Sequence, residues 1–283
     1  MNYFIYNPIS GSYPHNKRTA LLKLIRLNPE NTILETENKN DEKELTEIAI
    51  KLGAKKIIAV GGDGTINKVA SVISGTDVVL GIIPMGSGNG LARHLGIPIN
   101  PAEALKKAMT ENSIKIDACS INNKLFFCTA GIGFDATVAE VFDKRGIRGL
   151  LNYMKAVIIS LFKYKTIEIE IENGKKEELF LLTIANANQY GNNAFISPHS
   201  NIQDGEFEII KIKKNNLFNL LCISIRLFLK NVHKSKAVEI IPAKSFNINY
   251  KSGQPIHLDG ESIKTENAVL QIEILPGILN VAV

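Results

Sequence analysis

Lys56-Ile57-Ile58-Ala59-Val60-Gly61-Gly62-Asp63-Gly64-Thr65-Ile66-Asn67-Lys68 changes its hydrophobic period halfway along. Ile57 to Val60 is a short apolar run halted by glycines, whereas Ile66, Val69, Ala70 and Ile73 recur at i, i+3, i+4 and i+7. The stretch reads as a buried strand, a glycine turn and an amphipathic helix in direct succession. Three glycines within residues 61–64 permit a sharp turn and leave N–H groups uncovered at the positive end of the helix, where a phosphate is favoured. Asp63 admits two readings: it caps the helix, or it shares a cation with the bound phosphate. The spacing is neither Walker A nor Gly-x-Gly-x-x-Gly.

The flanking sequence repeats the pattern. Val78 to Ile83 reads as another buried strand and runs into Pro84-Met85-Gly86-Ser87-Gly88-Asn89-Gly90-Leu91-Ala92-Arg93, a second glycine-rich strand-to-helix turn. Upstream, the strand-like Asn2-Tyr3-Phe4-Ile5-Tyr6 leads into Asn7-Pro8-Ile9-Ser10-Gly11 and a helix carrying Leu21, Leu22, Leu24 and Ile25. Lys17 and Arg18 read as solvated charges on that helix, with a place near a bound phosphate as the other reading. Thr32 to Thr36 is the second strand. The helix after Asp41 has Asp41 and Glu44 as a capping-box variant, Leu45, Ile48, Ala49 and Leu52 on one face, and Gly53 as its stop. Such alternation predicts an α/β domain with an open, mostly parallel sheet, and ligands collect at the carboxyl edge of such sheets.

From Ile114 onward the expected strands follow one another: 114–120, 124–130, 166–172, 178–185, 206–211, 237–241, 245–250 and 268–274. They predict a C-terminal β-rich sandwich domain. The boundary is placed at residue 118, giving 1–118 and 119–275, with 276–283 returning to the first domain. Glu168, Glu170 and Glu172 alternate with isoleucines and read as a solvated strand face. Asp204-Gly205 and Asp259-Gly260 both carry a hairpin-turn signal. His257 reads as a satisfied strand residue. Leu217 to Leu229 is an apolar helix that suits either an interfacial position or packing on the β-rich domain.

At 283 residues the chain is long enough for two domains, and its formal net charge of +5 helps at an anionic surface but falls far short of a nucleic-acid-binding tail. Cys119, Cys128 and Cys222 form no Cys-x-x-Cys pair, so neither a disulfide framework nor a zinc site is expected. The N-terminus shows no basic region followed by a cleavage site, and apolar runs such as Ala156 to Phe162 fall short of the ~20 residues that span a bilayer. These features suggest a cytoplasmic protein with peripheral membrane contact at most.

Four motifs stand in one order: Asn7-Pro8-Ile9-Ser10-Gly11, Gly61-Gly62-Asp63-Gly64-Thr65, Gly86-Ser87-Gly88-Asn89 and Asp259-Gly260-Glu261. In that order they resemble the diacylglycerol kinase catalytic family, which includes bacterial lipid kinases and sphingosine kinases and is related to NAD kinases and phosphofructokinases. The resemblance implies an ATP- and Mg²⁺-dependent lipid kinase of phospholipid metabolism, its active site in the interdomain cleft, acting on diacylglycerol or a sphingoid-like acceptor at a membrane surface. It implies a nucleotide site of Asn7, Ser10, Gly11, Thr36, Gly61, Gly62, Asp63, Gly64, Thr65, Asn67, Gly86, Ser87, Gly88 and Asn89, and cation ligands Asp63, Asp117 and Asp204. Asp259 is the first choice for the base that takes the lipid hydroxyl proton, with Glu261 and Asp63 as competing assignments. The chain departs from the family pattern in four places. Ser12 stands where relatives carry a lysine, Gly90 where bacterial members carry an aspartate, and Asn201 and Glu208 replace acids of a structural ion site. Gly131-Ile132-Gly133-Phe134-Asp135-Ala136 resembles a family element lying between the domains, and the helix that follows it on the lipid side in relatives would here be 150–165. An NAD kinase-like enzyme and a non-catalytic lipid- or nucleotide-binding regulator remain as alternatives, and monomer and homodimer are both open.

Overall fold

The computed structural model describes residues 1–11, 13–38, 40–145, 160, 166–171, 174–250, 253–265 and 267–283. The chain divides into two compact units, Met1–Ile116 with Gly277–Val283, and Asp117–Pro276. Ser12 and, apart from Ser160, the helix expected at 150–165 lie outside the described residues.

The first unit alternates β1 (Asn2–Tyr6), α1 (His15–Arg26), β2 (Asn31–Glu35), α2 (Asp41–Lys51), β3 (Lys56–Gly61), α3 (Asp63–Ile73), β4 (Val79–Pro84), α4 (Gly90–His94) and α5 (Pro101–Ala108). The last strand of the chain, β15 (Val269–Ala282), sets Asn280 and Val281 beside Val79 and Leu80 of β4. The resulting order, β2-β1-β3-β4-β15, has every neighbour parallel. Because β2 lies on one side of β1 and β3 on the other, the sheet changes winding direction between β1 and β3, the kind of position where open α/β sheets bind ligands. Ile57 to Val60 are fully buried, and Ile66, Val69, Ala70 and Ile73 pack α3 down on the sheet. Period and burial agree there.

In α2 they do not. Its inward face is Glu42, Thr46 and Ala49, while Ile48 and Leu52 are exposed. Asp41 is not half of a capping box: its Oδ2 accepts the N–H groups of Glu37 and Asn38, at 2.9 and 2.6 Å, and braces the loop before the helix. Those two bonds hold the Asp41 carboxyl below its ordinary range.

β5 (Ser113–Ile121) carries the chain into the second unit, which continues with β6 (Lys124–Phe126), β7 (Thr129–Gly133), α6 (Phe134–Arg145), β8 (Ile167–Ile171) and β9 (Lys175–Ala185). After it come β10 (Phe207–Lys213), α7 (Leu217–Phe228), a 3-10 turn at Val232–Lys234, β11 (Val238–Ala243), β12 (Ser245–Asn249), β13 (Pro255–Leu258) and β14 (Glu261–Lys264). The strands pair in the order β14-β13-β7-β9-β8-β12-β15, with β10 and β11 branching from β9 and with β5 and β6 from β15. One core cluster joins Phe126, Ile132, Leu182, Phe207, Ile248 and Leu270, and a second joins Phe180 and Ile210 to Val138 of α6 and to Leu220 and Ile223 of α7. The expected strand at 124–130 is broken at Phe127 and Cys128, whose N–H groups turn toward Asp259. Asp204-Gly205 closes no hairpin, because the long loop 186–206 separates β9 from β10.

Candidate active site

Three loops leave the carboxyl ends of β1, β3 and β4, and glycines let their backbones touch. A Cβ on Gly11, whose φ is +64°, would lie 1.8 Å from the Met85 carbonyl oxygen. One on Gly86 would lie 2.7 Å from the Gly62 Cα, and one on Gly62 would meet the Ser10 Oγ at 3.1 Å. No side chain fits at Gly11 or Gly86 without moving backbone. Ser10, Gly11, Gly62 and Gly86 are thereby brought to one place. Thr36 joins that edge through its N–H, which donates to the Tyr6 carbonyl at 2.9 Å. Asn67 sits one turn into α3, and Ser87 and Gly88 complete the β4–α4 loop.

Asp63 is the first residue of α3, whose N-terminus is capped by Gly62 without a side-chain bond. Its carboxylate accepts the Asn89 N–H on Oδ2 and the Gly90 N–H on Oδ1, both at 2.8 Å. Asp63 thus anchors the start of α4 across the loop. Gly90 supplies one of the two donors. The buried Asn89, in the left-handed region at φ 52°, closes its own turn by accepting the Gly86 N–H and donating to the Gly86 carbonyl, each at 2.9 Å.

Two braces were not foreseen from the sequence. Glu42, 2% exposed, accepts from the Asn7 side-chain amide at 3.0 Å and from the Thr65 hydroxyl at 3.3 Å, and its other oxygen lies 3.4 Å from the Lys68 ammonium. The Asn7 amide also reaches Thr65 Oγ1 at 3.1 Å. One buried carboxylate on α2 therefore ties the first motif to the second. The available signal was the spacing of Glu42, Thr46 and Ala49 along one helix face, which larger apolar neighbours obscured. Arg18, expected as a solvated charge, instead donates to the carbonyls of Tyr13 at 2.9 Å and Ser10 at 2.7 Å, bracing the first loop.

In the second unit Asp259 and Gly260 form the two-residue turn between β13 and β14, with φ values of 47° and 84° that match a type I′ hairpin. The Asp259 carboxylate accepts three backbone N–H groups: Cys128 at 2.8 Å and Thr129 at 3.1 Å on Oδ1, and Phe127 at 2.9 Å on Oδ2. It clamps the β6–β7 break. Glu261, two residues on, is exposed at the start of β14. His257 is not the satisfied residue expected: its Nε2 lies 3.2 Å from Asp135 Oδ2, and its buried Nδ1 has no partner among the described residues. Asp135 Oδ2 also accepts from the Thr183 hydroxyl at 2.7 Å, over a Gly131 whose Cβ would lie 2.0 Å from that oxygen.

Asp117 is buried, and its Oδ2 accepts the Gly205 N–H at 2.8 Å, while the exposed Asp204 accepts from the Glu206 N–H at 3.0 Å. Asp63 belongs to the first unit, and Asp117 and Asp204 belong to the second. Burial, then the Asp204 and Glu206 carboxylates, push Glu208 up to about 7 against the pull of its Ser200 hydroxyl bond. Burial, followed by the charges of Asp259, Asp117 and Glu208, raises the Cys119 thiol well above its usual range.

The first-unit loops suit a phosphate: the first-turn N–H groups of α3 have no carbonyl partner within their helix, and the glycine positions hold space that side chains would fill. An open cavity of about 390 Å³ beside them is lined by Tyr6, Pro8, Tyr13, Arg18 and Glu35. Among the described residues no group of three or more His, Cys, Asp or Glu is placed to hold a metal ion.

A parallel unit with three glycine loops at its switch point is joined in the chain to an antiparallel β-rich unit that carries an Asp-Gly-Glu hairpin. Residues 2–121 match the diacylglycerol kinase catalytic domain, and residues 128–283 match the YegS C-terminal NAD kinase beta sandwich-like domain. The Staphylococcus haemolyticus protein named diacylglycerol kinase is 30% identical over 267 residues, which cover 91% of this chain and 81% of that one. The Shigella boydii protein named probable lipid kinase YegS is 30% identical over 256 residues, covering 86% and 83%. A solved diacylglycerol kinase structure from Bacillus anthracis str. Sterne superposes with a TM-score of 0.73 at 23% identity, covering 99% of this chain and 96% of that one. The chain belongs to the diacylglycerol kinase catalytic-domain family, and with it to the lipid kinases.

Proposed function

We propose that the protein transfers the γ-phosphate of ATP, with Mg²⁺, to the hydroxyl of a diacylglycerol or sphingoid-like lipid presented at the cytoplasmic membrane surface. The observation that carries this reading is the contact of the three loops at Gly11, Gly62 and Gly86, which brings their backbones and the N-terminus of α3, where a phosphate is favoured, to one place. On this reading the first unit binds the donor phosphates through backbone N–H groups of the Gly61–Thr65 and Gly86–Asn89 loops. Asn7, Glu42, Arg18 and Asn89 hold those loops in position. Asp63 would face a bound Mg²⁺, which when present neutralises charge on the transferring phosphate. Asp117 accepts the Gly205 N–H and Asp204 the Glu206 N–H, which suits both to shaping the 204–206 turn.

The proton acceptor is assigned to Glu261 in preference to Asp259. A base must offer a lone pair to the acceptor hydroxyl. Asp259 accepts three N–H groups and sets the hairpin, whereas Glu261 stands exposed at its end. Turnover with labelled ATP and a total lipid extract tests the function: labelled lipid supports it. With NAD added as a second acceptor, labelled NADP would favour the NAD kinase-like alternative, and nucleotide binding with no labelled product would make the chain a regulator.

A further inference from the structure

Of the large apolar side chains exposed on the described surface, six lie together on α7 and the residue after it. Leu217, Phe218, Leu221, Ile225, Phe228 and Leu229 are between 52% and 73% exposed. They run at i, i+4, i+8 and i+11 along one side of the helix, while Leu220 and Ile223 on the other side enter the core of the second unit. Singly exposed leucines are ordinary on a protein surface, but a continuous stripe of this size marks a contact. The helix is too short to cross a bilayer, and among the described residues no helix is long and apolar enough to do so.

Charge identifies what the stripe meets. From residue 209 to 238 there are seven Lys or Arg and no Asp or Glu, so the basic excess of the protein is concentrated here and the remaining sequence is net −2. Lys213 and Lys214 precede α7, and Arg226, Lys230, Lys234 and Lys236 lie at or beyond its end. Lys211 is buried and paired with Glu177 at 3.0 Å and so faces away from any surface, Lys214 is paired with Glu178 at 2.8 Å, and the Lys230 ammonium sits over the Phe195 ring at 4.4 Å, fixed beside the helix end. An apolar helix face bounded at both ends by cations is the pattern of a helix lying flat in the interface of an anionic bilayer, its apolar side chains among acyl chains and its lysines at headgroup level.

We propose that α7 is the membrane-docking surface of the protein, seated on anionic phospholipid through Leu217, Phe218, Leu221, Ile225 and Phe228. This deepens the lipid-kinase reading by naming the surface that meets the membrane, and its test contains no nucleotide, so either idea can fail alone. The full chain and the double variant Phe218→Asp/Ile225→Asp are floated with vesicles of phosphatidylcholine, with and without phosphatidylglycerol as about a third of the lipid. Both substituted side chains are exposed, so thermal melting should match wild type. Wild type is expected to float with the anionic vesicles, less at high salt and less with phosphatidylcholine alone, and the double variant to lose binding at least tenfold. Equal flotation of variant and wild type, or no flotation of wild type on anionic vesicles, overturns the proposal. So does a wild-type dimer that the double variant dissociates, since the stripe would then be covered by a second copy of the chain.

Discussion

Asp259→Asn separates a loop clamp from a catalytic base. The residue lies in the left-handed region at φ 47°, which asparagine also tolerates, so the substitution adds no backbone strain and reports on the carboxylate alone. Asparagine offers one acceptor oxygen. Directed at Cys128 and Thr129, it keeps two bonds in weaker, uncharged form and turns an amide NH₂ onto the Phe127 N–H, 2.9 Å from the lost oxygen. One orphaned donor costs ~1–3 kcal/mol and each bond that loses its charge about 1 kcal/mol; water at this half-exposed turn recovers part, leaving roughly 2–3 kcal/mol. For a chain of this size that lowers Tm by about 4–10 °C. Folded Asp259→Asn should keep much of its kcat, while Glu261→Gln should melt as wild type and lose ~10²-fold or more in kcat. Differential scanning calorimetry paired with steady-state lipid phosphorylation reads both quantities. A variant that melts with wild type yet loses kcat ~10²-fold would refute the clamp and return the base to Asp259.

Glu42→Gln keeps acceptors for Asn7 and Thr65 but loses the charge facing Lys68, so KM for ATP should rise severalfold with little change in kcat, whereas Glu42→Ala should also lose about 3 kcal/mol of stability; unchanged KM in both would reduce Glu42 to packing. Gly86→Ala sets a Cβ 2.7 Å from the Gly62 Cα, and the forced separation of the loops should weaken ATP binding at least tenfold by calorimetric titration; wild-type affinity would exclude the loop contact from the site. Glu208, raised from 4.5 to about 7, contributes stability that is full below pH 4.5 and lost as pH rises through 7. Glu208→Gln should therefore gain Tm over wild type at about pH 8 and little or none at about pH 4, and a pH-independent difference would contradict this.

The parallel unit was legible because its strands are buried on both faces and its turns are punctuated by glycine. Ile57 to Val60 and the stripe on α3 follow the period that burial imposes. Helix α2 was misread because periodicity assumes that apolar residues turn inward. Here Glu42 turns inward to meet Asn7, Thr65 and Lys68, contacts across 35, 23 and 26 residues that no local window contains. The break at Phe127 and Cys128 was hidden for the same reason: the run 124–130 is apolar enough for one strand, and its interruption is dictated by Asp259, more than a hundred residues away. The hairpin at 259–260 was legible since it needs only two residues with positive φ. The Asp204-Gly205 pair carries the same dipeptide, but Gly205 turns to donate to Asp117, so identical local chemistry closes a different loop.

The motifs also divide labour differently from a first reading of their residue types. Polar side chains in a phosphate-binding loop suggest direct contact with the ligand. Asp63, Glu42 and Arg18 instead make their bonds to neighbouring loops and Asn89 to its own turn, three of the four to backbone groups. Glycines at 11, 62 and 86 bring the same backbones within contact distance. On the proposed reading, phosphate is then recognised by amides held in advance by side chains that need not touch it. Donors fixed beforehand cost little reorganisation when charge arrives. Conservative substitution of a brace should therefore shift the loop before it alters chemistry, appearing in KM more than in kcat, whereas Glu261→Gln should do the reverse. The opposite partition, with a brace variant losing kcat at unchanged KM, would mean that the side chain acts on the reacting phosphate itself.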